Sequence, residues 1–252
     1  MTPDELSRQI AHPIQILGMS FYFDPLTRER ATTHGLNVLE FYGLGRGGVL
    51  GDVDASVVAE AFTFFDDRTI DYFFAKARTK ADPVKVAADY LEAAYVFADK
   101  TFGAVDPAAL AGFGASVRRV VDQVAPGRCP LVDGYRRYAA PSDPRHAAYL
   151  GTIFLRELRG GLHIEAVAEV GLSAKEAAFL QDESIYKLHG YAEDDKPVVT
   201  PEHAAAKREA EERTTTKEAA YLALLSEAER VQVAEVTALM FAALASPVAV
   251  AR

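Results

Sequence analysis

Arg156, Glu157, Arg159 and His163 lie within about two helical turns of chain, in a stretch that is otherwise apolar (Ile153, Phe154, Leu155, Leu158). A charge placed among apolar residues must be paired or must bind something. Two readings follow. In the first, the arginines and Glu157 form an internal ion network that fixes helix packing. In the second, Arg156 and Arg159, three residues apart and so on one helical face, wall a pocket and hold an anionic ligand group. His163 then transfers a proton, and Glu157 orients or tunes it. The second reading makes His163 and Glu157 the candidate catalytic residues and Arg156 and Arg159 candidate ligand contacts.

Arg46 is the second focus. It sits in Gly43-Leu44-Gly45-Arg46-Gly47-Gly48, between Phe41-Tyr42 and a helix start near Asp52 to Asp54. Glycine permits close backbone approach, and helix N-termini attract anions. No strand precedes this turn, so it is not a dinucleotide fingerprint, and no Lys-Ser/Thr follows, so it is not a P-loop. It reads either as a tight helix–helix corner or as a ligand contact facing a cavity shared with Arg159. Aromatic residues crowd the first 75 positions, including Phe21, Tyr22, Phe41, Tyr42, Phe62, Phe64, Phe65, Phe73 and Phe74. Most must be core. Tyr22, Tyr42 and Phe65 are the ones the reading assigns to a ligand cavity between helical units.

Other chemistry is sparse. His12, His34, His146, His189 and His203 show no metal-ligand spacing, no serine sits in a Gly-x-Ser-x-Gly elbow, and Cys129 reads as an ordinary thiol. The sequence therefore implies no metal and no cofactor.

The elements that must position these residues are helices. Asp82-Pro83, Asp106-Pro107 and Asp143-Pro144 each pair an N-cap residue with a first-turn proline, and each opens an apolar stripe at three-four spacing. A long polar helix is expected from about Pro201 to Leu225 and a last one from about Ser226 into Ala245. Strand signal is confined to Tyr191 to Thr200, where Glu193-Asp194-Asp195 reads as the turn of a short hairpin. Pro126, Gly127 and Pro130 mark a boundary between two helical units, 1–127 and 128–252. An Arg-Gly-Gly turn followed by a helix occurs in each unit, at Arg46 and at Arg159. It is read either as coincidence or as an internal repeat.

Composition removes further options. Of 252 residues, half are hydrophobic, which is enough for a substantial core. Basic residues number 27 against 36 acidic, net charge −9, which excludes a globally basic nucleic-acid coat. One cysteine cannot make an intrachain disulfide and fits a reducing cytoplasm. The N-terminus has no secretory pattern, and the most apolar stretch, 238–251, is too short to span a bilayer. A cytoplasmic protein with no membrane partner is expected.

Residues 143 to 179 carry a resemblance: Asp143-Pro144-Arg145-His146, then Leu155-Arg156-Glu157-Leu158-Arg159-Gly160-Gly161-Leu162-His163, then Gly171-Leu172-Ser173-Ala174-Lys175-Glu176-Ala177. With Phe41-Tyr42-Gly43-Leu44-Gly45-Arg46 upstream, and Glu211 and Thr214 downstream, this is similar to an actinobacterial family described as helix-turn-helix-like. Its shared motif is Leu-Arg-Glu-x-Arg-Gly-x-x-His. Leu158 stands where that family usually has His, Gly161-Leu162 replaces Asp-Gly, and the chain has no tryptophan. The resemblance implies a mainly α fold with a winged-helix-like second unit and a β-hairpin wing. The recognition helix would lie near Asp182 to His189. From Ser173 to Asp195, however, the chain has two basic and six acidic residues, whereas DNA readers present cations to phosphates.

The leading expectation is therefore a helical protein that binds a small, largely apolar molecule with an anionic or carbonyl group. A metal-independent tailoring enzyme of secondary metabolism is one such case. The alternative is a ligand-responsive helix-turn-helix transcription regulator, with DNA as the less favoured partner. A structural or interaction module is the third reading, and a homodimer is the one protein partner considered.

Overall fold

The computed structural model describes residues 1–245, so the end of the apolar 238–251 stretch lies outside the described residues. The N-terminal helices are α1 (Pro3–Met19), α2 (Pro25–Thr33), α3 (Val38–Gly48), α4 (Ala55–Ala61) and α5 (Asp67–Ile70). Next come α6 (Pro83–Thr101), α7 (Pro107–Asp122), α8 (Pro130–Arg136) and α9 (Pro144–Glu169). The chain ends in α10 (Ala174–Phe179), α11 (Glu183–Leu188), α12 (Pro201–Leu222) and α13 (Glu227–Ala245). None of them is long and apolar enough to cross a membrane.

The three Asp-Pro starts form as the sequence predicts. Asp82, Asp106 and Asp143 each accept hydrogen bonds from backbone N–H groups of the first turn, with proline at the first helical position. The last of these opens α9, the central helix, which packs against α1, α6, α7, α8 and α12. Every residue of α9 from Ala148 to Leu155 is buried, so the helix is enclosed on every side over these two turns. The main apolar core takes residues from both sides of the 127/128 boundary, from Leu6 to Met240.

Two local expectations are corrected. Both Arg-Gly-Gly segments are helical, not turns. Arg46, Gly47 and Gly48 close α3, and Arg159, Gly160 and Gly161 lie inside the uninterrupted α9. The glycines serve close helix packing. A Cβ at Gly45 would stand 2.3 Å from Cγ of Tyr90, one at Gly48 2.1 Å from the Pro83 carbonyl oxygen, and one at Gly161 2.6 Å from Sγ of Cys129. The contact at Gly48 is with backbone, which cannot swing aside. Gly48→Ala is therefore expected to destabilise the fold by roughly 1–3 kcal/mol, the usual range for overpacking. Gly160→Ala, inside α9 and with nothing within 4 Å of its Cβ, is the control in the same thermal melts and is expected to raise stability by up to about 1 kcal/mol through helix propensity alone.

The β-hairpin wing is the second correction: among the described residues there is no strand. Glu193–Asp195 forms a single 3₁₀ turn. The Asp195 carboxylate accepts from the Ala192 N–H and pairs with Arg68, so it ties this segment to α5 and not to a partner strand. Pro197 then removes a donor that a ladder would need, and Val198 is 83% exposed.

Candidate functional site

α9 carries Arg156, Glu157, Arg159 and His163 along one wall of a cleft of about 930 Å³, within the size range of small-molecule sites. α3 brings Tyr42 and Arg46 to the opposite side, the loop after α4 brings Phe62, Phe64 and Phe65, and the chain after α1 brings Tyr22. All eight residues singled out from the sequence line this one cleft. α10 and α11 close it with Ala177, Ala178, Ile185, Leu188 and His189. The helix pair that the resemblance marks for DNA contact is thus also part of a cavity wall.

The three arginines have different duties. Arg46 is fully engaged: Nε and Nη2 donate to the two Glu157 carboxylate oxygens at 2.9 and 2.6 Å, and Nη1 donates to the Tyr42 hydroxyl at 3.0 Å. Its guanidinium also lies over the Phe62 ring, 4.3 Å from the centroid. Arg159 turns away to the buried Glu218 (2.8 Å), which also accepts from the Ser7 hydroxyl, and to Glu211 (3.4 Å). Arg156 makes a single charged contact, Nη1 to Glu157 at 2.8 Å. Its Nε is buried without a partner, and its guanidinium stands 5.6 Å from the Tyr22 centroid.

One carboxylate therefore serves two guanidinium groups. Burial alone would raise the Glu157 carboxyl, but Arg46 and Arg156 outweigh it and hold it below its ordinary value. Burial likewise opposes the charges on Arg46 and Arg156, and neighbouring Glu157 and tyrosines hold both cationic. The group carries one net positive charge, with Glu157 only 2% and Arg156 13% exposed at the side chain. Such a charge in an aromatic enclosure attracts an anion.

His163 occupies the same face of α9 two turns further on. Thr214 donates its hydroxyl proton to the Ala210 carbonyl at 2.7 Å, so towards His163 it can only accept; Nδ1 lies 2.9 Å away. This fixes the proton on Nδ1 and leaves Nε2 with a lone pair. Glu211, 3.8 Å from Nε2, is too far for a hydrogen bond. Burial lowers the His163 pKa; Glu211 opposes this, and Arg159 and Lys207 add to it.

Sequence spacing did not single out His189, Phe62 or Phe64. His189 packs edge-on against Phe65 (4.8 Å) and over Phe64 (6.4 Å). Burial, and then the charges of Arg46 and Arg156, push its pKa down to about 4. Nothing local to residue 189 announces this, because Phe64 and Phe65, the rings it packs on, lie more than a hundred residues away in the chain. Cys129 lines the cleft, but burial pushes its thiol up to about 12, so it is a poor nucleophile. Outside the cleft, Asp99, Asp143 and His146 bring donor atoms within 4.8 Å of one another. Arg145 pairs with both of those carboxylates.

The two depressed histidines have a stability consequence. Near their ordinary value of 6.5 the unfolded chain takes up protons that the folded cleft refuses. Their contribution to stability is thus fully present above pH 6.5 and is lost as the pH falls; for His189 the fall continues towards pH 4, by up to about 1.4 kcal/mol per pH unit, and His163 adds to it in the same direction. Urea midpoints between pH 7 and 4.5 are expected to show this fall, and His189→Phe is expected to flatten it.

These observations define an all-helical protein with a deep aromatic cleft and a buried, surplus cation. The sequence profile of a helix-turn-helix family matches residues 7–250. The chain belongs to that helix-turn-helix family. No curated protein and no solved structure matches it.

Proposed function

We propose that the protein binds a small, largely apolar molecule in this cleft and holds an anionic or carbonyl oxygen of that molecule at Arg156. The observation that carries this reading is the shared carboxylate: Glu157 neutralises one of two guanidinium groups, and Arg156 keeps N–H donors to spare. Tyr42 supports it. Its hydroxyl accepts from Arg46, so its own proton is free to donate to a ligand oxygen. Aromatic walls supply apolar and cation–π contact. His163, neutral and with its Nε2 lone pair free, is suited to take a proton from a bound substrate and return it. Proton-transfer tailoring of a secondary metabolite, without a metal, is chemistry of this kind.

A pair of fluorescent probes tests the binding reading. 8-Anilinonaphthalene-1-sulfonate and N-phenyl-1-naphthylamine share a skeleton and differ by the sulfonate. The anionic probe is expected to bind with at least about tenfold higher affinity, in line with a charge-assisted hydrogen bond. Equal affinities would contradict the anion site.

Family membership favours a second reading, a ligand-responsive regulator whose α10–α11 pair contacts DNA. In that case ligand occupancy and DNA affinity are coupled, because the pair walls the cleft. Mobility shifts on random and genomic DNA, with and without the anionic probe, test it. Binding with a steep salt dependence that changes with the probe supports the regulator.

A further inference from the structure

Resting on that reading of the cleft, we infer that His189 is the second polar contact of the ligand. The ligand is then an aromatic acid that carries a hydroxyl or carbonyl oxygen on the side of the ring system facing α11. The inference starts from an unsatisfied group. Among the described residues neither ring nitrogen of His189 has a hydrogen-bond partner; Nδ1 is sealed from solvent, whereas Nε2 is not, so Nε2 is the nitrogen that a ligand in the cleft can reach. Buried polar groups without partners are uncommon in folded proteins and mark places where something else belongs. The ring forms part of the cleft wall, between Phe64 and Phe65.

Its position is fixed by the backbone on both sides. The His189 N–H donates to the Ile185 carbonyl at 3.0 Å, and its carbonyl accepts from the Asp66 N–H at 2.8 Å. Gly190 follows at φ +91°, where a Cβ would lie 1.8 Å from Oγ1 of Thr69. The imidazole is therefore held against the cleft by the same contacts that dock α11 onto α5.

Burial first, and then the charges of Arg46 and Arg156, disfavour protonation of the ring. His189 is thus a neutral imidazole, one nitrogen a donor and the other an acceptor, and it suits a neutral oxygen. The anionic oxygen belongs at Arg156. A run of ring contacts joins the two: Arg156 stands 5.6 Å from the Tyr22 centroid, Tyr22 lies 5.0 Å from Tyr42, Tyr42 6.1 Å from Phe65, and Phe65 4.8 Å from His189, an aromatic wall against which a flat ring system packs. One ligand touching both Arg156 and His189 would also join α9 to α11.

Calorimetric titration of 2-naphthoic acid and its hydroxy isomers tests this on the wild type, His189→Phe and Arg156→Met. At least one hydroxy isomer is expected to bind the wild type about fivefold more tightly than the parent acid, the gain of one hydrogen bond. His189→Phe should remove that gain, so that the hydroxy isomer and the parent acid bind this variant equally. In the unmodified protein, that isomer and not the parent acid should shift the ¹⁵N resonances of the His189 ring. A gain that survives in His189→Phe, or no gain from any isomer, overturns the role of His189 alone. If Arg156→Met leaves parent-acid binding unchanged, the anion site itself is wrong, and this inference falls with it.

Discussion

Glu157→Gln is expected to cost about 3–5 kcal/mol of folding stability, the usual penalty for breaking a buried ion pair from one side. The substitution keeps the side chain's size and removes its charge. Arg46 and Arg156 would then face each other across an amide, in a pocket where Glu157 is only 2% exposed. With its oxygen at the Oε1 position, glutamine can accept two of the three guanidinium hydrogen bonds, but its NH2 then faces the Arg46 Nη2 donor of the third. For a chain of this size the loss corresponds to a fall in Tm on the order of 10 °C.

Adding Arg46→Met to Glu157→Gln should recover part of the loss, because a single cation with access to the cleft remains. That recovery separates charge imbalance from a simple packing defect, in which the second substitution would add to the damage. Thermal and urea unfolding of the two single variants and the double variant complete the cycle.

Much of the architecture is legible in the sequence because its signals are local. The Asp-Pro starts at 82, 106 and 143 cap helices through bonds that span two or three residues. The charge cluster on α9 is visible because Arg156 and Glu157 interrupt an apolar run. What the sequence does not show is set by contacts distant in the chain. Gly45 and Gly48 look like a turn, but they lie inside α3 and are glycine because α6 packs against them and leaves no room for a Cβ. The partners that divide the arginines' duties are remote: Glu157 is 111 residues from Arg46, and Glu218 is 59 from Arg159. Thr214, which sets the tautomer of His163, is 51 residues away. The wing differs for a related reason. Val198-Val199-Thr200 suggests a short strand, but a strand needs a partner edge, and Asp195 ties its segment to Arg68 instead.

Arg156→Met is the second substitution with a large expected effect, on ligand affinity and not on folding. Arg46 and Arg159 spend their hydrogen bonds on Glu157, Tyr42, Glu218 and Glu211, whereas Arg156 keeps donors free. Removing Arg156 also leaves Glu157 paired with Arg46, so the ion balance of the fold improves and Arg156→Met should remain folded. A charge-assisted hydrogen bond to a ligand oxygen is worth about 1.5–3 kcal/mol, or roughly 10–100-fold in affinity. The most direct measurement titrates Arg156→Met and the wild type with 8-anilinonaphthalene-1-sulfonate and with its uncharged analogue N-phenyl-1-naphthylamine. The predicted result is a loss of roughly 10–100-fold for the sulfonate probe with the neutral probe's affinity unchanged. An equal change for both probes, or none for either, would contradict the assignment of Arg156 as the residue that holds the ligand's anionic group.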